Sequence, residues 1–481
     1  MATRTGTAGN DTIFGNDEDD LIDGLAGNDT LGGVGGDDTI NAGTGVDHVW
    51  GGAGSDVVYG GAGNDSIRAG DRDFDDTTSG ADALYGEAGD DWIWGHNGID
   101  TLVGGDGNDV LQGGRGADRY EGGAGDDSLN LTLGVAYADG GDGADVITIA
   151  RVQPGDTRQL HSVTGGAGND WIITDALHGT RFVVDGGAGI DQLELNDWPY
   201  PVAGAPPYQV WLNQDAAGDV IIARDIEKLI LRTHAGEIHG SDLAETITAS
   251  DGADTVWGGG GADRIWGDWS YAEQSNDLPS YATGGNDTLM GGAGNDTLTE
   301  IAGSNYVRGE EGNDVLRGGI GFDDLHGNMG DDTVSGGAGD DWVVGGKDQD
   351  LLSGNTGGDI VYGNLGNDTL DGGDGADIVR GGQGEDSVQG GAGDDWISGD
   401  RGVDTLTGGA GADIFHTFDE AGYDRVTDFN AAEGDRVQVL PGASYTAIQM
   451  GSDVLVQVGD AQLFLVGVQL TSLPDGWIFG A

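Results

Sequence analysis

The sequence predicts an all-β protein: a parallel β-roll or β-solenoid of short stacked coils, with a β cap at the C-terminal end. Three observations predict it. Aspartate returns every nine residues, an aliphatic or aromatic residue follows it two places later, and glycine supplies 99 of the 481 residues. The beat runs through Asp11, Asp20, Asp29, Asp38, Asp47, Asp56 and Asp65, then through Asp82, Asp91, Asp100, Asp109, Asp118 and Asp127. It then runs without a miss through Asp314, Asp323, Asp332, Asp341, Asp350, Asp359, Asp368, Asp377, Asp386, Asp395, Asp404 and Asp413. Asp145, Asp170, Asp191, Asp254, Asp263, Asp287 and Asp296 hold the same slot in less regular stretches. A nine-residue period matches neither a helical nor a simple strand repeat, so the fold itself must repeat.

One unit, Gly60-Gly61-Ala62-Gly63-Asn64-Asp65-Ser66-Ile67-Arg68, reads G-G-x-G-x-D-x-U-x with U apolar. The U slot holds Ile13, Ile22, Leu31, Ile40, Val49, Val58 and Ile67 in the first run, and Leu316 through Phe415 in the last. Its side chain points inward and its two neighbours outward, as in any strand. The glycines permit a tight turn with positive φ. A unit is therefore a turn plus a very short strand, and two units make a coil of 18 residues with two parallel sheets back to back.

Residues 18 apart then lie above one another at about 4.8 Å. This places Asp314 over Asp332 and Asp323 over Asp341, in two carboxylate ladders on opposite edges. Like charges so close repel unless a cation lies between them. Calcium suits such a site, since it takes six to eight oxygen ligands from carboxylates and backbone carbonyls; magnesium wants a smaller, more rigid octahedron. Pairs spaced 18 apart suggest about 21 ions, one per pair. The expected behaviour is an expanded chain without calcium and a rod with it.

The nonapeptide resembles the calcium-binding repeat of the RTX, or hemolysin-type, family, whose β-roll also forms the C-terminal half of serralysin-like proteases. The resemblance implies that the Asp residues named above are calcium ligands. At Asn305 and Glu245 the same slot changes charge or reach, and Glu18 and Asp348 replace a turn glycine.

Composition narrows the function. The formal charge is −66, with 85 acidic against 19 basic residues and no basic stripe, which speaks against nucleic-acid binding. There is no cysteine, so disulfides and thiolate metal sites are excluded. No apolar run approaches the roughly 20 residues of a membrane span, and the N-terminus lacks the apolar core of a cleavable signal peptide.

Four segments are expected. A first calcium-binding roll covers 1–130, with an acidic insertion at 71–79. A β-rich segment, 131–240, reads as wider coils of the same solenoid with fewer ions, a separate β-sandwich being the runner-up. It begins at a rung slot occupied by Ala136, and Trp198–Pro207 is expected to be a loop. A second roll covers 241–416, interrupted at 268–283. Residues 417–481 resemble the serralysin-like cap, and the tail Asp475-Gly476-Trp477-Ile478-Phe479-Gly480-Ala481 implies an uncleaved type I secretion signal.

No catalytic constellation is present. H-E-x-x-H, the G-x-S-x-G elbow and a P-loop are all missing. The repeat starts with the chain, so no N-terminal catalytic module is expected. Any polysaccharide-modifying activity, epimerase-like or lyase-like, would have to sit in 146–240. Eight of the twelve tryptophans (Trp50, Trp92, Trp94, Trp171, Trp257, Trp266, Trp342 and Trp396) fall in slots that should face outward, as do Tyr59, Tyr85 and Tyr362. The expected protein is thus extracellular, secreted by a type I machinery, non-catalytic and calcium-loaded, with a structural or adhesive role at the cell surface or matrix. Its possible partners are polysaccharide or another surface protein.

Overall fold

In the computed structural model, the described residues are 2–70, 80–131, 137–149, 161–175, 182–196, 208–212, 221–224, 226–232, 236–241, 243–249, 254–267 and 284–480. They are all-β, with one short 3-10 turn at Leu470–Ser472. The chain divides into two compact units, Met1–Thr233 and His234–Ala481.

Each unit is built from the predicted coil. In the first unit Thr39–Thr44 pairs in parallel with Val57–Ala62, residue i against i+18, while His48–Ala53 pairs with Ser66–Arg68 on the other sheet. The turn explains the glycines. Gly61 lies at φ +105° over the carbonyl of Gly43 one coil away, where a Cβ would collide with backbone. Non-glycine residues enter this left-handed slot at Val34, Glu87 and Asn364, among others, and accept the strain.

The core is a column between the sheets. Ile22, Leu31, Ile40, Val49, Val58 and Ile67 are fully buried, as are Leu316, Leu325, Val343 and Val361 in the second unit. Ile13, in the outermost coil of its sheet, is only half-buried. Tyr120 fills the inward slot of its coil; its hydroxyl accepts from the Gly113 N–H at 3.0 Å and donates to the Asn130 carbonyl at 3.3 Å.

The expected insertions 71–79 and 268–283, the Ala136 slot and the Trp198–Pro207 loop lie outside the described residues. What flanks them is informative. Ala83–Ala88 pairs with Val57–Ala62, and Trp92–Trp94 with Ser66–Arg68, so the coil is 26 residues long there. The phase slip between Asp65 and Asp82 is therefore a lengthened coil, and the stack continues in register. Likewise Thr255–Gly260 pairs with Thr288–Ala293, 33 residues on.

From Tyr137 to Arg232 the described strands go on stacking in parallel, with longer strands and wider coils. His161–Ala167 lies on Tyr137–Asp142, and Phe182–Ala188 on His161–Ala167. The pairs whose register is described here, from Tyr137–Asp142 to Lys228–Arg232, are parallel, not antiparallel as a sandwich would require. Ile221–Arg224 and Lys228–Arg232 lie one in each sheet.

The second unit ends in a different arrangement. Tyr445–Met450, Asp453–Val458 and Ala461–Leu465 form an antiparallel meander, and Ala461–Leu465 adds in parallel to Tyr423–Val426. Ile478–Gly480 pairs with Val437–Val439. Phe429 packs between Phe415, the last inward residue of the repeat, and Trp477. Both sheet edges are thus covered, as a solenoid end requires. In saturating calcium, Leu316→Ala should lower stability by about 2–5 kcal/mol. Leu351→Ala, on the outer face nearby and 53% exposed, should change it by less than about 0.5 kcal/mol. Urea denaturation followed by circular dichroism measures both.

Candidate metal centre

The aspartates form ladders through one repeated bond: the backbone N–H of each rung donates to Oδ1 of the rung one coil further on, at 2.6–3.2 Å. In the first unit one ladder runs Asp11, Asp29, Asp47, Asp65, Asp91, Asp109, Asp127, Asp145, Asp170 and Asp191. The other runs Asp20, Asp38, Asp56, Asp82, Asp100 and Asp118. In the second unit Asp263, Asp296, Asp314, Asp332, Asp350, Asp368, Asp386 and Asp404 form one ladder. Asp254, Asp287, Asn305, Asp323, Asp341, Asp359, Asp377, Asp395 and Asp413 form the other. Every aspartate singled out in the sequence is a rung.

The second carboxylate oxygen is the chemically open one. Oδ2 of Asp56, Asp109, Asp314, Asp350 and most other rungs is buried and accepts no hydrogen bond. Its surroundings are other acceptors. A Cβ placed on Gly258 would lie 2.5 Å from Asp263 Oδ2 and 2.5 Å from the Gly291 carbonyl; one on Gly51 would lie 2.5 Å from Asp56 Oδ2 and from the Ala69 carbonyl. The first glycine of each repeat leaves room in which a carboxylate and a carbonyl from successive coils converge with no donor between them. Buried acceptors so placed are costly unless a cation joins them.

The protonation energetics agree. Burial lifts Asp56, Asp65, Asp91 and Asp314 to about 7 and Asp100 and Asp350 to about 8. The N–H donated by the preceding rung pulls the other way, and the neighbouring rung carboxylates add to the rise.

No group of three His, Cys, Asp or Glu side chains able to hold a metal occurs among the described residues. Each ladder step offers two carboxylates, and the remaining ligands must be main-chain oxygens, which the glycine turns supply and calcium accepts.

The substituted slots separate into kinds. Glu245 is a rung: its N–H donates to Asp263 Oδ1 at 2.8 Å, and Oε1 accepts from the Ser241 hydroxyl. Asn305 Oδ1 accepts from Asp287 at 2.9 Å, but its Nδ2 donates to the Ala302 carbonyl at 3.4 Å, so an amide stands where the other rungs hold a free oxygen. Replacing the turn glycine by Glu18 or Asp348 leaves the rungs Asp20 and Asp350 in place.

Three further acids extend the ladders. Asp191 donates to Glu227 at 2.7 Å, Asp404 to Asp424 at 3.2 Å and Asp413 to Asp435 at 3.1 Å. Each stands two places before a buried apolar residue (Leu229, Val426 and Val437), so the acid-x-apolar signature persists where the nine-residue phase is lost. A second row lies just outside the rungs. Asn10, Asn28, Asp90, Asn108, Asn313 and Asp331 accept from the N–H one coil on.

The eight tryptophans singled out in the sequence face outward. Trp171 and Trp342 are 41% and 39% exposed, and the other six are half-buried against neighbours on the same face. Arg68 lies 4.9 Å over Trp92, His96 stacks on Trp94 at 3.9 Å, and His239 stacks on Trp257 at 4.2 Å. His48 is an exposed strand residue.

Parallel two-sheet coils with buried carboxylate ladders and glycine cradles define a calcium-binding repeat protein. The family model described as RTX calcium-binding nonapeptide repeat (4 copies) matches residues 5–31, 32–67, 76–98, 94–129, 162–176, 239–270, 281–299, 302–325, 317–352, 326–361, 353–388 and 381–415. These matches cover more than half of the chain, and the protein belongs to that family. No curated protein matches it. Among solved structures, the extracellular lipase LipA from Serratia marcescens is 18% identical, with a TM-score of 0.21. The match covers 52% of this chain and 41% of the lipase, so this chain spans less than half of that enzyme's length.

Two expectations follow from the ladder chemistry. Asp359→Asn keeps the Oδ1 acceptor but puts a donor in the cradle, as at Asn305. It should raise the calcium concentration for half-folding roughly two- to tenfold, read by titration under circular dichroism. In chelator, rung carboxylates raised in the folded state favour folding below the ordinary carboxylate range near 4, and lose that effect as pH rises through about 7–8. The calcium-free chain should therefore gain β signal on acidification and lose it toward pH 8.

Proposed function

We propose that the protein is a secreted, non-catalytic structural or adhesive component of the cell surface or extracellular matrix, exported by a type I machinery and folded by calcium once outside. The rungs are its ligands in this reading, joined by Glu227, Glu245, Asp424 and Asp435 at irregular steps. The observation that carries it is the run of buried, unpartnered Oδ2 atoms facing carbonyls at step after step. Extracellular modules bind calcium at about 10⁻⁴–10⁻³ M, far above cytosolic levels. A chain whose fold depends on such sites stays unfolded during export and closes outside.

The ladders offer more steps than the pairs spaced 18 apart, because coils of 20, 21, 22, 25, 26 and 33 residues also align two acids. The ion count expected from the spacing alone, about 21, is therefore a lower figure for the sites available. Circular dichroism with excess chelator and then with millimolar calcium tests the reading. The expected result is little β signal in chelator and full signal on calcium addition; a β spectrum unchanged by chelator would sink it. Polysaccharide binding is the second reading, favoured by the half-exposed outward aromatics.

A further inference from the structure

The two ladders of the first unit differ in length. One stops at Asp118, while the other continues from Asp127 through Asp145 and Asp170 to Asp191. Arg119 lies on Tyr137 in parallel register, so the next rung slot of the stopped ladder is residue 136, an alanine outside the described residues. A missing rung takes one carboxylate away from the last step. It does not by itself explain what fills the cradle beside Asp118, and the structure shows that a side chain does.

The coils nearby carry Leu102, Leu111 and Leu129 in the inward column; Tyr120 takes the same kind of slot and is equally buried. A leucine ends short of the cradle. A Cβ placed on Gly24 would meet the Ala42 carbonyl at 2.5 Å and Asp29 Oδ2 at 2.6 Å before Leu31 Cδ1 at 3.2 Å. One on Gly95 would likewise lie 2.6 Å from Asp100 Oδ2 and 2.7 Å from the Gly113 carbonyl. One on Gly113 would meet the Tyr120 hydroxyl first and Asp118 Oδ2 second. The hydroxyl is tied in place: the Gly113 N–H donates to it at 3.0 Å, and it donates to the Asn130 carbonyl at 3.3 Å. Gln112 pairs with Asn130 one coil on, so these two bonds join successive coils. At the equivalent place one coil earlier, the Gly95 N–H donates directly to the Gln112 carbonyl at 2.9 Å. At Gly113 the hydroxyl stands between donor and acceptor. Oδ2 of Asp38, Asp56 and Asp100, earlier in this ladder, is buried with no donor; Asp118 Oδ2 is not such an orphan.

We propose that Tyr120 closes the cradle of Gly113 and Asp118 to calcium and bridges the two coils in the cation's place. The proposal rests on the reading of the other rungs as calcium ligands. Calcium takes six to eight oxygens. Here the slot opposite Asp118 lacks a carboxylate, and the space nearest Gly113 holds a phenol whose proton is committed to a carbonyl. A hydroxyl acting as one more calcium ligand is the poorer reading, since the Gly113 N–H points at its oxygen. The hydroxyl also gives a buried N–H and a buried carbonyl the partners they need. Tyr120 thus marks where calcium leaves one edge of the first unit. Up to Asp118 both edges carry rungs; beyond it, among the described residues, the coils keep only the edge of Asp127, Asp145, Asp170 and Asp191.

The test counts calcium ions on the full chain by native mass spectrometry, which separates species that differ by a single ion. Circular dichroism in millimolar calcium reports folding separately. A wild-type chain that takes up no calcium counts against the calcium reading; the differences between variants test this inference. Ala136→Asp restores a carboxylate to the empty slot and leaves the tyrosine in place, and should bind as many ions as the wild type. Tyr120→Leu combined with Ala136→Asp, with the leucine of neighbouring coils, should bind one more. Tyr120→Phe keeps the ring and removes the bridge. It should leave the count unchanged and raise the unfolding equilibrium constant, read in urea at saturating calcium, about three- to tenfold. An additional ion on the Ala136→Asp chain would make the hydroxyl a ligand and overturns the proposal. So does a folded double variant with no additional ion, or a Tyr120→Phe chain as stable as the wild type. If the double variant does not fold, the two single variants still decide.

Discussion

The hydrogen bond from each rung N–H to Oδ1 of the next coil is the constraint on which the rest depends. It ties main chain to side chain across the coil spacing, so it sets the height of a coil and the rotamer of the aspartate together. With Oδ1 held by the backbone, Oδ2 has one direction left, toward the space that the first glycine vacates. An alanine there would put its methyl group against that oxygen and against a carbonyl of the next coil. Glycine, aspartate and the coil step are therefore parts of one device. Its product is a row of buried acceptors that water does not reach and that no protein donor satisfies.

The apolar core cannot carry that cost alone. A coil of 18 residues buries about two full inward side chains, such as Leu316 and Leu325, and the conformational cost of ordering its glycines is high. Binding energy at the ladder must become folding energy, as in other domains whose metal sites exist only in the folded state. The same logic explains why the ladder tolerates variation unevenly. Glu245 keeps a charged oxygen and stays a rung; Asn305 keeps the hydrogen bond and gives up the charge. The second is a step where the coil holds by backbone pairing and an internal donor, with less for a cation to bind.

Much of this was readable from the spacing of the aspartates, because the coil imposes its period directly on the residues that build it. The inward column, the parallel register and the pairing of rungs 18 apart all follow from it. What the spacing hid were coils of other lengths. Asp56 meets Asp82 and Asp254 meets Asp287 although 26 and 33 residues separate them, so a longer coil still returns to the same edge. A fixed period registers such a coil as a break, although the stack has none. Glu227, Asp424 and Asp435 escaped for the same reason. The physical signature of a rung is an acid two places before a buried apolar residue, and this survives any loop length, whereas the nine-residue phase does not. The row formed by Asn28, Asn108 and Asn313 was hidden differently: the slot before the rung also holds residues with no side-chain acceptor, such as Val46, Ile99 and Ala117, and only the hydrogen bonds show which members act alike.

The outward positions obey another rule. Ladder and core use the rung, the turn glycines and the inward residue, and they leave the two strand positions on either side of the inward residue unconstrained. In the second unit one sheet fills many of them with Thr, Ser, Asp and Gln, which suit an exposed strand in water, and others with Arg264, Trp266, Arg317, Leu351, Tyr423 and Arg425. The other fills them with Trp342, Ile360, Tyr362, Ile378, Arg380 and Trp396. An acidic repeat gains nothing in solubility from such a face. The ladder and the core do not prescribe these positions, so their residues change from strand to strand along both sheets while the rung, the turn and the inward residue stay fixed.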